Sequence, residues 1–263
     1  MPELPDVQVF KQRIDATSLH KEIRTVHLFA DRILEVSERT LRRHLKGHAL
    51  ESTRRHGKWL FVAVDDGWLL LHFGMTGEPV YRETGEPPDS VKMALDFTGG
   101  GTLHIVNRRK FGRIGWIDDP DAFIEEEDLG PDPLATDGFD LAAFRERLAD
   151  RRGTIKGTLM NQQVIAGLGN IYVDEILFQS DLHPEAKTDE LASGTAGTLH
   201  RTMTRVIRKA IEARVDPEQM PRGWLLPRRE PGADCPRCGG TIRRMQVSGR
   251  STYWCPSHQD ART

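Results

Sequence analysis

Cysteine is scarce in this chain, with three among 263 residues, and that scarcity excludes a disulfide-stapled secreted scaffold. Net charge is also nearly absent, since 37 Lys and Arg face 39 Asp and Glu for a formal balance of -2. Such a balance supplies no global pull towards nucleic acid, so any nucleic-acid site has to come from where the charges sit. No apolar run approaches the roughly 20 residues that span a bilayer; the longest, around Trp68 to Leu71, has the length of a strand. The opening Met1-Pro-Glu-Leu-Pro-Asp6 carries neither a basic leader nor an apolar signal core, which points to the cytoplasm. Internal repeats and low-complexity tracts are missing too. What remains is a soluble globular chain, long enough for two domains that each bury a core.

Apolar periodicity divides the chain. Val7, Phe10 and Ile14 are spaced as one face of a short helix, with Pro2 and Pro5 suited to its start. From Ile23 to Ile117 short apolar runs recur (Thr25 to Leu28, Trp59 to Val64, Trp68 to Phe73, Met93 to Phe97, Leu103 to Val106), punctuated by Asp65-Asp66-Gly67, Thr76-Gly77 and Gly99-Gly100-Gly101. Strands at that spacing suggest an antiparallel sandwich or barrel. An acidic stretch with Pro120, Pro131 and Pro133 follows and reads as a linker. Beyond it the period turns helical over Leu141 to Leu148, Ile155 to Met160, Asn170 to Phe178 and Leu199 to Arg214. Residues 222 to 250 are then locally basic, with Arg228, Arg229, Arg237, Arg243, Arg244 and Arg250.

Cys235-Pro-Arg-Cys238 and Cys255-Pro-Ser-His258 are two pairs of equal spacing on either side of a segment suited to a β-hairpin. Three thiolates and one imidazole suit a single tetrahedral Zn²⁺, and with every position filled the ion is structural. His258 is the weakest of the four ligands, a position that an acidic residue or water would otherwise complete. Arg250 follows the turn at Ser248-Gly249, where it reads equally as a phosphate contact or as a solvated surface residue.

Three further features carry two readings each. Gly167-Leu168-Gly169-Asn170 precedes a helical pattern, with Asn170 at the expected N-cap, and is either a phosphate cradle or a routine capped turn. Arg54 to Lys58 and Asn107 to Gly112 are basic clusters beside apolar strands, the second holding Phe111. They are solvated strand ends, or phosphate contacts with an inserted wedge that exposes one base. Pro2-Glu3 is a good helix start. With Met1 removed it is also a secondary amine with a carboxylate beside it, and an α-amine titrates near about 8, which leaves a useful neutral fraction at physiological pH.

The segments Met1 to Asp6, Arg54 to Lys58, Leu71 to Gly77, Arg109 to Gly112, Leu129 to Leu134, Ile155-Lys156 with Leu159-Met160, Ala166 to Phe178 and the Cys/His finger occur in this order across nearly the whole chain. In that order and spacing the sequence resembles the formamidopyrimidine-DNA glycosylase / endonuclease VIII family of base-excision repair enzymes, and it is closer to the formamidopyrimidine branch. The resemblance implies an α+β fold: an N-terminal antiparallel β-sandwich with an N-terminal helix, then a helical helix-two-turn-helix domain with a C-terminal β-hairpin zinc finger. Domains are expected at 1–118 (catalytic sandwich), 119–135 (acidic linker), 136–226 (helical) and 227–263 (zinc finger). The implied function is a bifunctional DNA glycosylase and AP lyase that removes oxidised purines, with one structural Zn²⁺, acting as a monomer on double-stranded DNA with a damaged base. DNA crossing the cleft between the domains belongs to the same expectation.

Residue by residue, the resemblance implies Pro2 as Schiff-base nucleophile and Glu3 as proton donor. Lys58 assists β-elimination and Arg250 is associated with δ-elimination. His72, Asn170 and Arg151 contact DNA, and Met75, Arg109 and Phe111 fill the space of the flipped base. The chain departs from the family at Asp6, where glutamate is common, at Ser90, where a histidine is frequent, and at His258, which replaces a fourth cysteine. The 215–231 segment is also short and lacks the family's Gly-rich pattern. The same chemistry on oxidised pyrimidines or bulky ring-opened bases, and a non-catalytic damaged-DNA binder, are the alternatives.

Overall fold

The computed structural model describes residues 1–29, 31–109, 111–135, 139–192 and 194–259. Lys110 of the Arg109-Lys-Phe motif, the expected domain start at 136 and the last four residues of the finger lie outside the described residues. The chain divides into two units: Met1–Pro2 with Asp6–Glu127, and Glu3–Pro5 with Asp128–Thr263.

The first unit holds most of α1 (Leu4–Thr17), then β1 (Ile23–Leu28), α2 (Glu38–Leu45), β2 (Ser52–His56), β3 (Trp59–Val64), β4 (Gly67–His72), β5 (Gly77–Arg82), β6 (Val91–Phe97), β7 (Thr102–Asn107), β8 (Arg113–Ile117) and α3 (Pro120–Glu126). Two four-stranded sheets form, in the orders β1-β6-β7-β5 and β2-β3-β4-β8, and every described pairing within them is antiparallel. Leu60, Val62, Leu69 and Leu71 of one sheet share a core with Met93, Leu95, Leu103 and Ile105 of the other, joined by Val7, Phe10 and Ile14 of α1. That shared core makes the two sheets a sandwich, the first of the two architectures that the apolar runs suggest. Helix α1 is longer at both ends than its apolar stripe suggests. Helix α2 lies between the apolar runs of the sequence; its Leu41 and Leu45 are buried and Ser37 caps it through the Thr40 amide. Within the acidic stretch, Asp119 caps α3 and Pro120 fills its first turn.

The second unit contains α4 (Leu141–Leu148), α5 (Ile155–Met160), α6 (Asn170–Gln179), α7 (Thr195–Glu212), β9 (Arg243–Val247) and β10 (Arg250–Trp254). Helix α7 buries Leu199, Met203, Val206, Ile207 and Ala210, an amphipathic stripe. It ends where Arg214 and Val215 turn left-handed at φ 52° and 55°, two residues before the expected end. Helix α6 is different: Tyr172 through Phe178 are all buried. A helix enclosed on all sides that carries Asp174 and Glu175 must supply partners for both carboxylates. Strands β9 and β10 pair antiparallel, the expected hairpin.

Candidate active site and zinc centre

In the second unit the site is built around the start of α6. Gly169 is the N-cap and offers no side chain, so Asn170 is the first helical residue rather than the cap, and the helix starts one position earlier than the expected cap implies. The missing cap comes from Glu3. Its Oε2 accepts the amides of Gly169 (2.9 Å) and Tyr172 (3.1 Å), and its Oε1 accepts that of Ile171 (2.8 Å). Leu4 N donates to Gly167 O at 2.9 Å, and Leu4 is buried in the helical core. A carboxylate at a helix N-terminus satisfies the orphan amides and meets the positive end of the dipole. A Cβ at 169 would stand 2.5 Å from Glu3 Cδ and Oε1, so any residue other than glycine there has to displace the Glu3 cap.

Asn170 Nδ2 donates to Ser251 O at 3.0 Å, so the helix start touches the residue next to Arg250. Arg250 itself is exposed at the start of β10. At the hairpin tip Ser248, with φ 50°, lies against α5: its Oγ is 3.1 Å from Thr154 Oγ1, and a Cβ on Gly157 would meet it at 2.6 Å. Arg151 is exposed just before α5.

Sequence reasoning did not foresee the buried charge network that fixes the hairpin on α6. Lys156 Nζ, fully buried, donates to Asp174 Oδ1 (2.5 Å) and Thr252 Oγ1 (2.7 Å). Asp174 Oδ2 accepts from Arg229 Nη2 (2.7 Å) and Tyr253 N (3.1 Å). Burial pulls the Lys156 ammonium below its ordinary value and pushes the Asp174 carboxyl up, with Lys156 and Arg229 opposing the second shift. Glu175 accepts from Gln179 Nε2 and Leu226 N, both at 2.8 Å, and burial raises its pKa to about 7. Gln179 Nε2 also donates to Gly223 O at 2.9 Å. The short 215–231 segment is thereby anchored to α6, with Trp224 and Leu225 buried. The available signal was an acidic pair inside an otherwise apolar helix.

In the first unit Pro2 is half-buried and Asp6 sits in the first turn of α1. Lys58 follows Gly57, which turns at φ 55°, and is buried. His72, at the end of β4, has its pKa lowered to about 4, chiefly by burial and then by the charges of Lys58 and Arg113. Gly74 N donates to His72 Nδ1 at 3.2 Å, so the neutral ring carries its proton on Nε2. Two loops distant in sequence meet here. Gly74, at φ 58°, lies so close to the Phe111 backbone that a Cβ would come within 2.4 Å. Asn107 Nδ2 donates to Phe73 O at 3.0 Å, and Arg109 N donates to Thr76 Oγ1 at 3.2 Å. Met75, Arg109 and Phe111 are thereby grouped; Met75 is 38% exposed and Phe111 64%, an unusual display of apolar surface. Arg54, by contrast, is ion-paired with Asp121, and Arg55 donates to Gln8 Oε1 at 2.9 Å. That cluster is more internally satisfied than its sequence implies.

Cys235, Cys238, Cys255 and His258 offer ligand atoms that all lie within 4.8 Å of one another. Cys238 and Cys255 Sγ are 3.5 Å apart, and His258 Nδ1 is 3.7 Å from Cys235 Sγ and 3.5 Å from Cys238 Sγ. Ligand atoms on a zinc tetrahedron, with Zn–S about 2.3 Å and Zn–N about 2.0 Å, stand roughly 3.5–3.8 Å apart. The four residues therefore fit one structural zinc, with His258 as the fourth ligand through Nδ1.

Family models match all three parts of the chain: the formamidopyrimidine-DNA glycosylase N-terminal domain over residues 1–114, the formamidopyrimidine-DNA glycosylase H2TH domain over 129–220, and the zinc finger found in FPG and IleRS over 234–257. A sandwich, an H2TH domain and a Cys₃His finger in this order define a DNA glycosylase of the H2TH, zinc-finger class. The formamidopyrimidine-DNA glycosylase of Thermosynechococcus vestitus is 32% identical, covering 98% of this chain and 97% of that protein. The one from Streptococcus pneumoniae is 30% identical, covering 98% and 99%. The chain belongs to the formamidopyrimidine-DNA glycosylase family. Among solved structures, Lactococcus lactis Fpg in complex with DNA containing N7-benzyl-Fapy-dG superposes with a TM-score of 0.89 at 28% identity, covering 99% of this chain and 100% of that one. MutM in complex with DNA containing carbocyclic 8-oxo-G gives 0.88 at 28% identity, with coverage of 99% and 100%.

Proposed function

We propose that this protein is a bifunctional DNA glycosylase and AP lyase that removes oxidised purines, formamidopyrimidines and 8-oxoguanine, from double-stranded DNA. The single observation that carries the reading is the Pro2-Glu3 pair, with Glu3 held by three amides at the start of α6. Glu3 as a cap would serve any protein of this fold, but a non-catalytic binder has no need of a free N-terminal proline amine beside it.

With Met1 removed, the Pro2 amine attacks the sugar C1′ and the base leaves, taking up a proton. The amine then loses its N–H proton, and the C1′–O4′ bond opens with protonation of O4′. The resulting iminium stays cationic because a secondary amine has no second proton to lose, and it draws electrons from the sugar. Loss of a proton from C2′ then expels the 3′ phosphate, and a second elimination expels the 5′ phosphate. Glu3 transfers protons at the sugar ring oxygen, with Asp6 a second carboxylate nearby in sequence. Lys58 assists the first elimination and Arg250 the second, each as a phosphate-directed cation. His72 contributes a neutral Nε2–H donor, and Asn170 the second N–H of an amide already fixed on Ser251 O. Met75, Arg109 and Phe111 occupy the space of an extruded base, supported by their joint display on two interlocked loops. Arg151 adds a phosphate contact. The zinc supplies rigidity to the hairpin bearing Arg250 and takes no part in the chemistry. The enzyme acts as a cytoplasmic monomer, and among the described residues no helix is long and apolar enough to cross a membrane.

Borohydride trapping on duplexes holding an abasic site, 8-oxoguanine, a formamidopyrimidine or an oxidised pyrimidine tests the proposal, with mass spectrometry locating the adduct. An adduct at Pro2, strongest with the purine lesions, is expected. DNA binding intact with no adduct on any duplex would favour the non-catalytic reading, and preference for the pyrimidine lesion would move the substrate class.

A further inference from the structure

His258 differs from its three cysteine companions in having a second ring nitrogen. Nδ1 faces the thiolates, so Nε2 points away from the metal position. Nε2 stands 3.7 Å from Oδ1 of Asp181, longer than a hydrogen bond but within charge-pair range. Asp181 lies two residues past the end of α6 in left-handed backbone, φ 55°, a region that Asp tolerates better than most residues. Its carboxylate is held from the other side by Arg237 of the Cys-Pro-Arg-Cys knuckle, whose Nη1 donates to Oδ1 at 2.6 Å and Nη2 to Oδ2 at 3.2 Å. The same Nη1 donates to Phe178 O at 2.9 Å. The Phe178 ring meets the His258 imidazole edge-on, 4.6 Å between centroids at 75°. Carboxylate and ring are thus each fixed by a separate contact to the end of α6.

We infer that Asp181 is a positioning residue of the zinc site, orienting His258 so that Nδ1 meets the metal and the Nε2 proton faces the carboxylate. The inference rests on the Cys₃His zinc assignment above. A neutral imidazole that binds a metal through one nitrogen carries a proton on the other, and a carboxylate there fixes the ring and raises the basicity of the ligating nitrogen. A cysteine at 258 has no second polar atom to orient, so Asp181 and His258 act as a pair. The consequence reaches the active site. Helix α6 seats Glu3 and Asn170 at its start, holds β10 through Asp174 at its middle, and through Asp181 registers the zinc knuckle at its end.

The test is zinc affinity of the full-length protein, by competition with a chromophoric chelator, for wild type, Asp181→Ala, His258→Cys and the double variant. Asp181→Ala is expected to weaken zinc binding about ten- to a hundredfold in the histidine background and to leave affinity essentially unchanged in the cysteine background. An equal loss in both backgrounds would mean that Asp181 acts only through Arg237 and packing, and overturns the inference, as does no loss in either. Should His258→Cys fail to fold, ¹⁵N–¹H NMR of the zinc-loaded wild type decides. A metal-bound Nδ1 with a slowly exchanging Nε2–H that becomes fast in Asp181→Ala supports the pair, and a metal-bound Nε2 refutes it. Absence of stoichiometric zinc in the wild type would instead sink the zinc assignment itself.

Discussion

Glu3 has two jobs in this structure, capping α6 and serving the proposed chemistry, and the first can be measured without the second. In Glu3→Gln the side chain keeps its length but only one acceptor oxygen. If that oxygen takes the place of Oε2, it still serves Gly169 N and Tyr172 N, while Ile171 N faces an amide NH₂ group. Orphaning one half-buried donor and losing charge assistance at the other two costs about 2–4 kcal/mol. At roughly 2–4 °C per kcal/mol for a unit of this size, the helical unit should melt about 4–16 °C lower. Gly169→Ala should produce a fall of the same sign with the carboxylate intact, because its Cβ would overlap Glu3. Pro2→Gly exchanges the secondary amine for a primary one and leaves the cap in place, so it should severely slow borohydride trapping while leaving the melting temperature close to wild type. Differential scanning calorimetry of the three variants, beside trapping on an abasic-site duplex, separates the two jobs. A Glu3→Gln transition within about 1 °C of wild type would refute the capping argument.

Other predictions concern buried titrating groups and the metal. His72 should titrate near pH 4 by NMR, and Lys58→Met should move that midpoint upward by removing one of its charged neighbours; an unmoved midpoint contradicts the assigned cause. Because the folded-state value lies below the ordinary 6.5, His72 costs stability as the pH falls from 6.5 towards 4. Glu175 has the opposite sign. Its raised value, about 7 against 4.5, makes its contribution full below the unfolded value and lost as pH rises through the folded one. The stability advantage of wild type over Glu175→Gln should therefore shrink by up to about 3 kcal/mol between pH 4.5 and 7.5 in urea titrations, and a pH-independent difference would refute it. Lys156→Met leaves Asp174 buried with one cation fewer and should destabilise the helical unit by about 3–5 kcal/mol; a neutral effect on its chemical denaturation midpoint would count against the network. Chelating the zinc should abolish amide-exchange protection in β9 and β10 while the two sheets of the first unit keep theirs.

Much of this protein was legible in the sequence because the relevant signals are local. Trp59–Val64 is a strand at the bounds of its apolar run, the four zinc ligands were set by two short spacings, and the hairpin between them followed from its turn residues. Periodicity and ligand spacing survive without knowledge of the fold, since each depends on residues only a few positions apart. Helices α2 and α3 escaped because their apolar stripes are short and their starts depend on the caps Ser37 and Asp119. Tertiary structure alone decided the rest. It brought Glu3 to amides about 170 positions away, and it interlocked the loops of Met75 and Phe111 through a glycine approach that no pattern announces. It also consumed Arg54, Arg229 and Arg237 in ion pairs that the basic stretches conceal, leaving Arg250 exposed. Those outcomes rest on long-range hydrogen bonds and charge burial, which are properties of the packed chain and have no counterpart in the spacing of its residues.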